Sequence, residues 1–150
     1  MRKRTGDMQA LRRAILGGVF LVPGLLHIVD LSQFAWQIYQ YGFLGEDVAA
    51  KIAMPLAMLE LWLGASFLLD QASEATGFLA AALLGCFAVA ISIVLLNERS
   101  VECGCLGVYS PIVSWAHVAA VACLTLVYGF FGFQCVWQRR RTRPSELVAS

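Results

Sequence analysis

Apolar residues along this chain fall into four long runs that are separated by short polar segments. The runs occupy residues of about 14–31, 52–70, 77–97 and 111–137. A helix needs about 20 mostly apolar residues to cross roughly 30 Å of hydrocarbon at 1.5 Å per residue. The pattern therefore predicts four membrane-spanning helices within residues 14–137.

The segment between the first two runs has a different periodicity. Apolar side chains recur in residues 31–41 at the spacing of one helix face: Leu31, Phe34, Ala35, Ile38 and Tyr39. This spacing predicts an amphipathic helix that lies at the outer membrane interface or extends the first span.

The composition excludes a chain that folds in water. Of its 150 residues, 59% are hydrophobic and 14% are charged. Soluble domains are roughly 45–50% apolar and about 25% charged. A soluble enzyme, a disordered tail and a nucleic-acid module are excluded, and the lipid bilayer is the expected surroundings. We predict an all-α integral membrane four-helix bundle.

Positive charges predict the orientation of this bundle. Five Lys or Arg residues lie in the basic segment 1–13, and four lie in the tail 138–150. By the positive-inside rule both termini are cytoplasmic and the loop 98–110 faces outward. A signal peptide is the competing interpretation of the N-terminus, but the small-residue cleavage pattern is missing and the first span is retained.

The outward loop carries the densest group of reactive residues, Cys103-Gly104-Cys105. Disulfides persist in oxidising compartments, and a bridge across so small a ring departs from ideal geometry and is easily reduced. The pair is therefore a candidate for thiol–disulfide exchange. A fixed, inert bridge is the first alternative.

A soft-metal site is the second alternative, because thiolates bind Cu(I) and zinc. Its further ligands would come from His27, His117, Met54 and Met58. The cysteines within the apolar runs, Cys86, Cys123 and Cys135, are interpreted as packing residues.

Three ionisable residues lie inside the predicted spans: His27, Glu60 and His117. A charged carboxylate near mid-bilayer costs roughly 2.5–3.5 kcal/mol on insertion scales, so Glu60 is expected to be paired or protonated. All three fall in the outer half of the bilayer, where they would handle protons below the thiol pair. A bound quinone near them is one candidate electron carrier, and a structural hydrogen bond between helices is the simpler interpretation.

Small residues predict where the helices pack closely. One stripe on the second span contains Ala53, Ala57, Glu60 and Gly64, and one on the third contains Gly77, Ala81 and Gly85. The first stripe directs Glu60 toward protein. Ser110-Pro111 predicts the start of the fourth helix, with the serine as N-cap and the proline in the first turn.

Several of these motifs together resemble the MauE family of methylamine-utilisation membrane proteins, which are related to DoxX. The matching elements run from residue 17 to the start of the fourth span: Gly17–Phe20, Pro23-Gly24-Leu25-Leu26-His27, Phe34, Ile38, Tyr41, Ala53-Met54-Pro55, Leu59-Glu60-Leu61-Trp62-Leu63-Gly64 and Cys103-Gly104-Cys105-Leu106-Gly107. The chain departs from the family pattern at His27, where many relatives have lysine, and at Leu106, where they have phenylalanine.

The resemblance implies a multi-pass protein of the bacterial plasma membrane that acts with an exported thioredoxin-like protein. MauE is thought to assist maturation of the disulfide-rich small subunit of methylamine dehydrogenase. The family match extends to Glu60, Cys103 and Cys105 of this chain.

We therefore expect a membrane thiol–disulfide redox component that exchanges electrons with an exported thioredoxin-like or cysteine-rich protein. A non-catalytic membrane assembly factor for an exported client is the main alternative, and a small-solute transporter is a weaker one. The sequence leaves open the partner, the direction of electron flow, the attacking cysteine, the presence of quinone and whether a homo-oligomer forms.

Overall fold

The computed structural model describes residues 2–98, 101 and 112–142, and these residues form five helices. They are α1 (Arg2–Val29), α2 (Leu31–Gln40), α3 (Glu46–Leu68), α4 (Glu74–Leu96) and α5 (Trp115–Thr142). Four segments are long and apolar enough to span a membrane: Met8–Val29, Glu46–Leu68, Glu74–Leu96 and Trp115–Gln138. The prediction of an all-α fold with four membrane-spanning helices is confirmed.

Local hydrogen bonds set several helix boundaries. Asp30 separates α1 from α2 and caps α2, because its side chain accepts a hydrogen bond from the Gln33 backbone N–H at 3.0 Å. Ser73 and Thr76 form a reciprocal capping box at the start of α4. Each cap satisfies N–H groups that have no partner inside the helix.

The fourth long helix starts later than the sequence pattern predicts. Its first residue is Trp115, whereas the predicted start, Ser110-Pro111, lies outside the described residues. The backbone N–H of Val113 donates a hydrogen bond to the Val101 carbonyl at 3.0 Å. This bond joins the two ends of the connection between α4 and α5, and Val113 lies outside the helix. Ser114 then accepts the first backbone bonds of α5, from His117 and Val118.

The long helices associate as two antiparallel pairs. In the first pair, α1 makes extensive contact with α3, and α2 also lies against α3. A Cβ atom added to Gly64 would lie 2.6 Å from the Leu21 backbone nitrogen and 2.9 Å from the Gly17 carbonyl oxygen. The two backbones therefore touch at this point, as the small-residue stripe on the second span predicts.

The second pair consists of α4 and α5. A Cβ atom added to Gly77 would lie 2.9 Å from both the Cα and the nitrogen of Gly132. Gly77 is buried, whereas Ala81 and Gly85 of the same predicted stripe are only partly buried. Close approach of the second pair is therefore concentrated near the start of α4.

An aromatic cluster joins the two pairs. Tyr128 of α5 is fully buried and packs edge-on against Phe20 of α1 and Phe67 of α3, with ring centroids 5.2 Å and 5.1 Å away. The Tyr128 hydroxyl also donates a hydrogen bond to the Leu16 carbonyl of α1. This cluster holds the pairs together while α3 and α4 make few direct contacts.

The two ends of the bundle are distinct. At one end the Arg13 guanidinium forms an ion pair with Asp70, which follows α3. At the other end Tyr41 belongs to a buried apolar cluster with Ile91, Val94, Val101 and Val113. The basic start of α1 and the link after α3 therefore share one end, and the connection between α4 and α5 leaves from the opposite end.

Candidate functional site

His27 and Glu60 form a buried polar pair in the interior of the bundle. The Nδ1 atom of His27 lies 2.7 Å from Oε2 of Glu60. The two residues are only 3% and 4% exposed. Ionisable residues inside membrane-spanning segments are rare and costly, which makes this pair a candidate functional site.

Close approach of α1 to α3 makes this contact possible. Gly24 lies one helical turn before His27, and a Cβ atom added to it would be 3.1 Å from Glu60 Cβ. On α3, the buried residues Ala53 and Ala57 continue the same face as Glu60. Glu60 therefore points toward protein, as its position in the small-residue stripe predicts.

The short helix α2 covers one face of the histidine. The ring of Phe34 is stacked on His27 with centroids 3.7 Å apart and an angle of 4° between the planes. Asp30 caps α2, and hydrogen bonds from the Gln33 backbone and the Ser32 hydroxyl hold the pKa of Asp30 below its ordinary value. The predicted amphipathic segment thus forms a helix that fixes the orientation of the imidazole.

A cavity of about 320 Å³ lies beside the His27–Glu60 pair. Residues from all five helices line it. The cavity therefore lies between the α1–α3 pair, with α2, and the α4–α5 pair. Most of the wall is apolar, and the polar or partly polar side chains in it are His27, Gln37, Tyr41 and Glu60. A largely apolar pocket with a few converging polar groups is typical of small-molecule sites.

The pair can hold and transfer one proton. Neutral His27 with a proton on Nδ1 donates to the carboxylate, and protonated Glu60 donates to an unprotonated Nδ1. Both arrangements use the same 2.7 Å contact. The site therefore combines an apolar space with two side chains in its wall that have the chemistry to exchange a proton.

The structure does not bring His117 to this pair. His117 lies in the first turn of α5, where its Nδ1 atom is 2.8 Å from the Ser114 hydroxyl and accepts from the Ser114 backbone N–H at 3.2 Å. This is a local capping arrangement, and His117 is absent from the cavity wall. Of the three ionisable residues expected to act together, His27 and Glu60 are in contact, whereas His117 is hydrogen-bonded to Ser114 at the start of α5.

The candidate thiol pair, Cys103 and Cys105, lies outside the described residues. Val101 and Val113 flank that segment, and their backbone hydrogen bond joins its two ends. Both valines pack with Tyr41, which also lines the cavity. The chain therefore enters and leaves the Cys-Gly-Cys segment at the cavity end of the bundle.

The remaining cysteines and the methionine ligand candidates lie elsewhere. Cys86 and Cys123 are exposed on the helix surface, and Cys135 is partly buried. The interpretation as packing residues therefore fits Cys135 but not the other two, because their helix faces point away from the bundle. Met54 and Met58 are 54% and 52% exposed, whereas His27 is buried. Within residues 2–98, 101 and 112–142, no group of three or more His, Cys, Asp or Glu side chains forms a metal site.

Sequence reasoning missed Gln37 of the site, although it had named Phe34 and Tyr41 among the residues that match the family. Gln37 is 1% exposed although it is polar, and Phe34 and Tyr41 are buried beside it. All three occur at intervals of three or four residues, so they share a face of α2 and its extension. Gln37 is a polar residue on that otherwise apolar stripe, which is the signal that could have identified it.

Comparison with known proteins places this chain in a family. No curated protein and no solved structure matches the chain significantly. The family model for methylamine utilisation protein MauE matches residues 7–134, a region that includes all of the cavity wall and the Cys-Gly-Cys element. With its four apolar helices, the chain is therefore a multi-pass membrane protein that belongs to the MauE family.

Proposed function

We propose that this protein is the membrane component of a thiol–disulfide exchange system, with Cys103 and Cys105 as the reacting residues. Its partner is an exported thioredoxin-like or cysteine-rich protein, as in maturation of methylamine dehydrogenase. The observation that carries the proposal is the Cys-Gly-Cys element in the connection between α4 and α5 of a MauE-family chain.

The placement of the flanking residues supports this assignment. Val101, two residues before Cys103, is buried against Tyr41 at the end of the bundle opposite the Arg13–Asp70 ion pair. The basic segment 1–13 lies at the Arg13 end and, by the positive-inside rule, in the cytoplasm. The thiol pair then faces the exported side of the bacterial plasma membrane, where disulfide chemistry operates.

Exchange proceeds through a mixed disulfide. A thiolate of the pair attacks one sulfur of the partner's disulfide, a new S–S bond joins the two proteins, and the other partner sulfur leaves as a thiolate. The second cysteine of the pair then attacks its neighbour, so that the partner leaves with two thiols and the pair is oxidised. The reverse sequence of the same steps oxidises the partner.

Trapping of the mixed disulfide tests this proposal. Cys103→Ser and Cys105→Ser are expressed singly in the native host and the membranes are acid-quenched, alkylated and separated without reductant. At least one variant should retain a partner in a disulfide-linked complex that reductant cleaves, because the thiol that would resolve the mixed disulfide is missing. Cys123→Ser is the matched control, since Cys123 is exposed on α5 and should trap nothing.

The opposite result has a clear meaning. If neither single variant traps a partner and the Cys103→Ser/Cys105→Ser double variant still supports maturation of the client, the bridge is inert. That outcome overturns the redox proposal and favours the non-catalytic assembly factor.

A further inference from the structure

We propose that the cavity between the two helix pairs is the binding site for a lipid-soluble quinone, whose ring lies against the His27–Glu60 pair. This inference rests on the proposed function only for the source of electrons. The binding site itself is argued from the cavity and its wall.

The cavity suits a compact planar ring. Its volume of about 320 Å³ is at the lower limit of small-molecule pockets, which range from roughly 300 to 1,000 Å³. Aromatic side chains from four parts of the chain line it: Phe20, Phe34, Phe43 and Phe87. Aromatic walls favour stacked or edge-on contact with another ring.

The polar groups are grouped on one part of the wall. His27 and Glu60 are joined at 2.7 Å, and Gln37 and Tyr41 line the cavity with them. A hydrocarbon tail has no atom that can exchange hydrogen bonds with these groups. A quinone carbonyl oxygen can, and the rest of its ring and its tail suit the apolar wall.

The chemistry of the ligand also matches that of the thiol pair in the direction that oxidises the partner, in which the pair takes two electrons from the partner's thiols and passes them to the quinone. Two cysteine thiols that form one disulfide release two electrons and two protons, and reduction of a quinone to a quinol consumes the same number at its two carbonyl oxygens. The S–S bond forms, two S–H bonds break and two O–H bonds form. His27 and Glu60 supply a group through which a proton reaches the ring inside the bilayer.

Binding of decylubiquinone to the full-length protein in nanodiscs tests the site. Ala90 lines the cavity and is partly buried, so Ala90→Phe fills the space, whereas Ala82 is exposed on the same helix and gives the control Ala82→Phe. Steric exclusion should weaken binding by about tenfold or more in Ala90→Phe, and Ala82→Phe should bind like the unmodified protein. Glu60→Gln keeps a hydrogen-bonding group of similar size in the wall but cannot transfer a proton, so it should slow quinol formation at saturating quinone by about 10²-fold, the usual size of a lost proton-transfer group.

Three outcomes separate the two proposals. A Cys103→Ser/Cys105→Ser variant should bind decylubiquinone normally without reducing it, and reduced unmodified protein should reduce it. If the quinone binds but the reduced protein never reduces it, the binding site stands and the proposed electron transfer fails. If mixed disulfides are trapped but decylubiquinone does not bind, or a decyl compound without the ring competes equally well, the quinone site is wrong.

Discussion

The Tyr128 hydroxyl donates a hydrogen bond to the backbone carbonyl of Leu16, which joins α5 to α1 across the middle of the bundle. The aromatic cluster packs around this contact, and its member Phe20 also lines the cavity, so the cluster borders the cavity directly. The bond therefore marks one border of the candidate ligand site.

Removal of this hydroxyl should loosen the association of the two helix pairs. We expect Tyr128→Phe to lower the free energy of unfolding by about 0.5–1.5 kcal/mol, the usual net value of one hydrogen bond. Tyr39→Phe removes the same atom from a residue that is 38% exposed and should have little effect. Thermal unfolding in detergent measures both, and equal losses would show that the Tyr128 bond has no special role.

The backbone contact between α1 and α3 gives a second prediction. An alanine at Gly64 would place its Cβ 2.6 Å from the Leu21 backbone nitrogen, so the helices must move apart. We expect Gly64→Ala to destabilise the protein by about 1–3 kcal/mol.

Gly18 provides the control for this substitution. An added Cβ there meets nothing within 4 Å, so Gly18→Ala should stabilise α1 by up to about 0.5–1 kcal/mol through helix propensity. If Gly64→Ala unfolds at the same temperature as Gly18→Ala, the close packing of α1 on α3 is incorrect.

The His27–Glu60 contact should appear as coupling in a double-mutant cycle. We expect His27→Ala and Glu60→Ala each to destabilise the protein, and the double variant to lose less than the sum of the two. The coupling should be about 0.6–1.7 kcal/mol, the range for hydrogen bonds between membrane helices. His27→Lys should preserve part of it, because an ammonium can still bond to the carboxylate. Strict additivity in chemical unfolding would argue against the contact.

The Asp30 cap predicts a pH dependence of α2. Because the pKa of folded Asp30 lies below its ordinary value of 3.8, its carboxylate stabilises the cap above that value. This contribution is lost as the pH falls through the lower pKa of the folded state. Hydrogen exchange in residues 31–40 should therefore accelerate, relative to its intrinsic rate, below about pH 4.

Asp30→Asn is the matched variant for this measurement, since asparagine also caps helices but does not titrate. Its α2 amides should show no added acceleration below the same pH. An identical acid response in both proteins would assign the effect to another group.

Labelling with a membrane-impermeant maleimide tests the proposed orientation. In a cysteine-free background, Asn97→Cys at the end of α4 should react in intact cells, because it lies at the end from which the 98–110 connection leaves. Gln71→Cys follows Asp70 at the opposite end and should react only after the membrane is opened. Both positions are exposed. The reverse pattern would place the thiol pair in the cytoplasm and overturn the proposed function.

The sequence alone was sufficient to predict the four long helices, the amphipathic segment and the inward-facing stripe that carries Glu60. These features depend on the length, hydrophobicity and periodicity of each segment, which do not depend on tertiary contacts. The start of α5 was predicted too early, because the Val113 N–H bonds to Val101, a residue twelve positions away in the chain.

Tertiary structure decided which polar residues meet and where an empty space remains. His27 and His117 were equivalent candidates by sequence, but Gly24 lets α1 approach Glu60, whereas Ser114 engages His117 locally. The cavity lies between two contacts that join the helix pairs, the aromatic cluster around Tyr128 and the buried cluster around Tyr41, while glycine contacts hold each pair tightly. Distances between helices depend on how faces from distant segments fit together, and no single segment of the sequence contains that information.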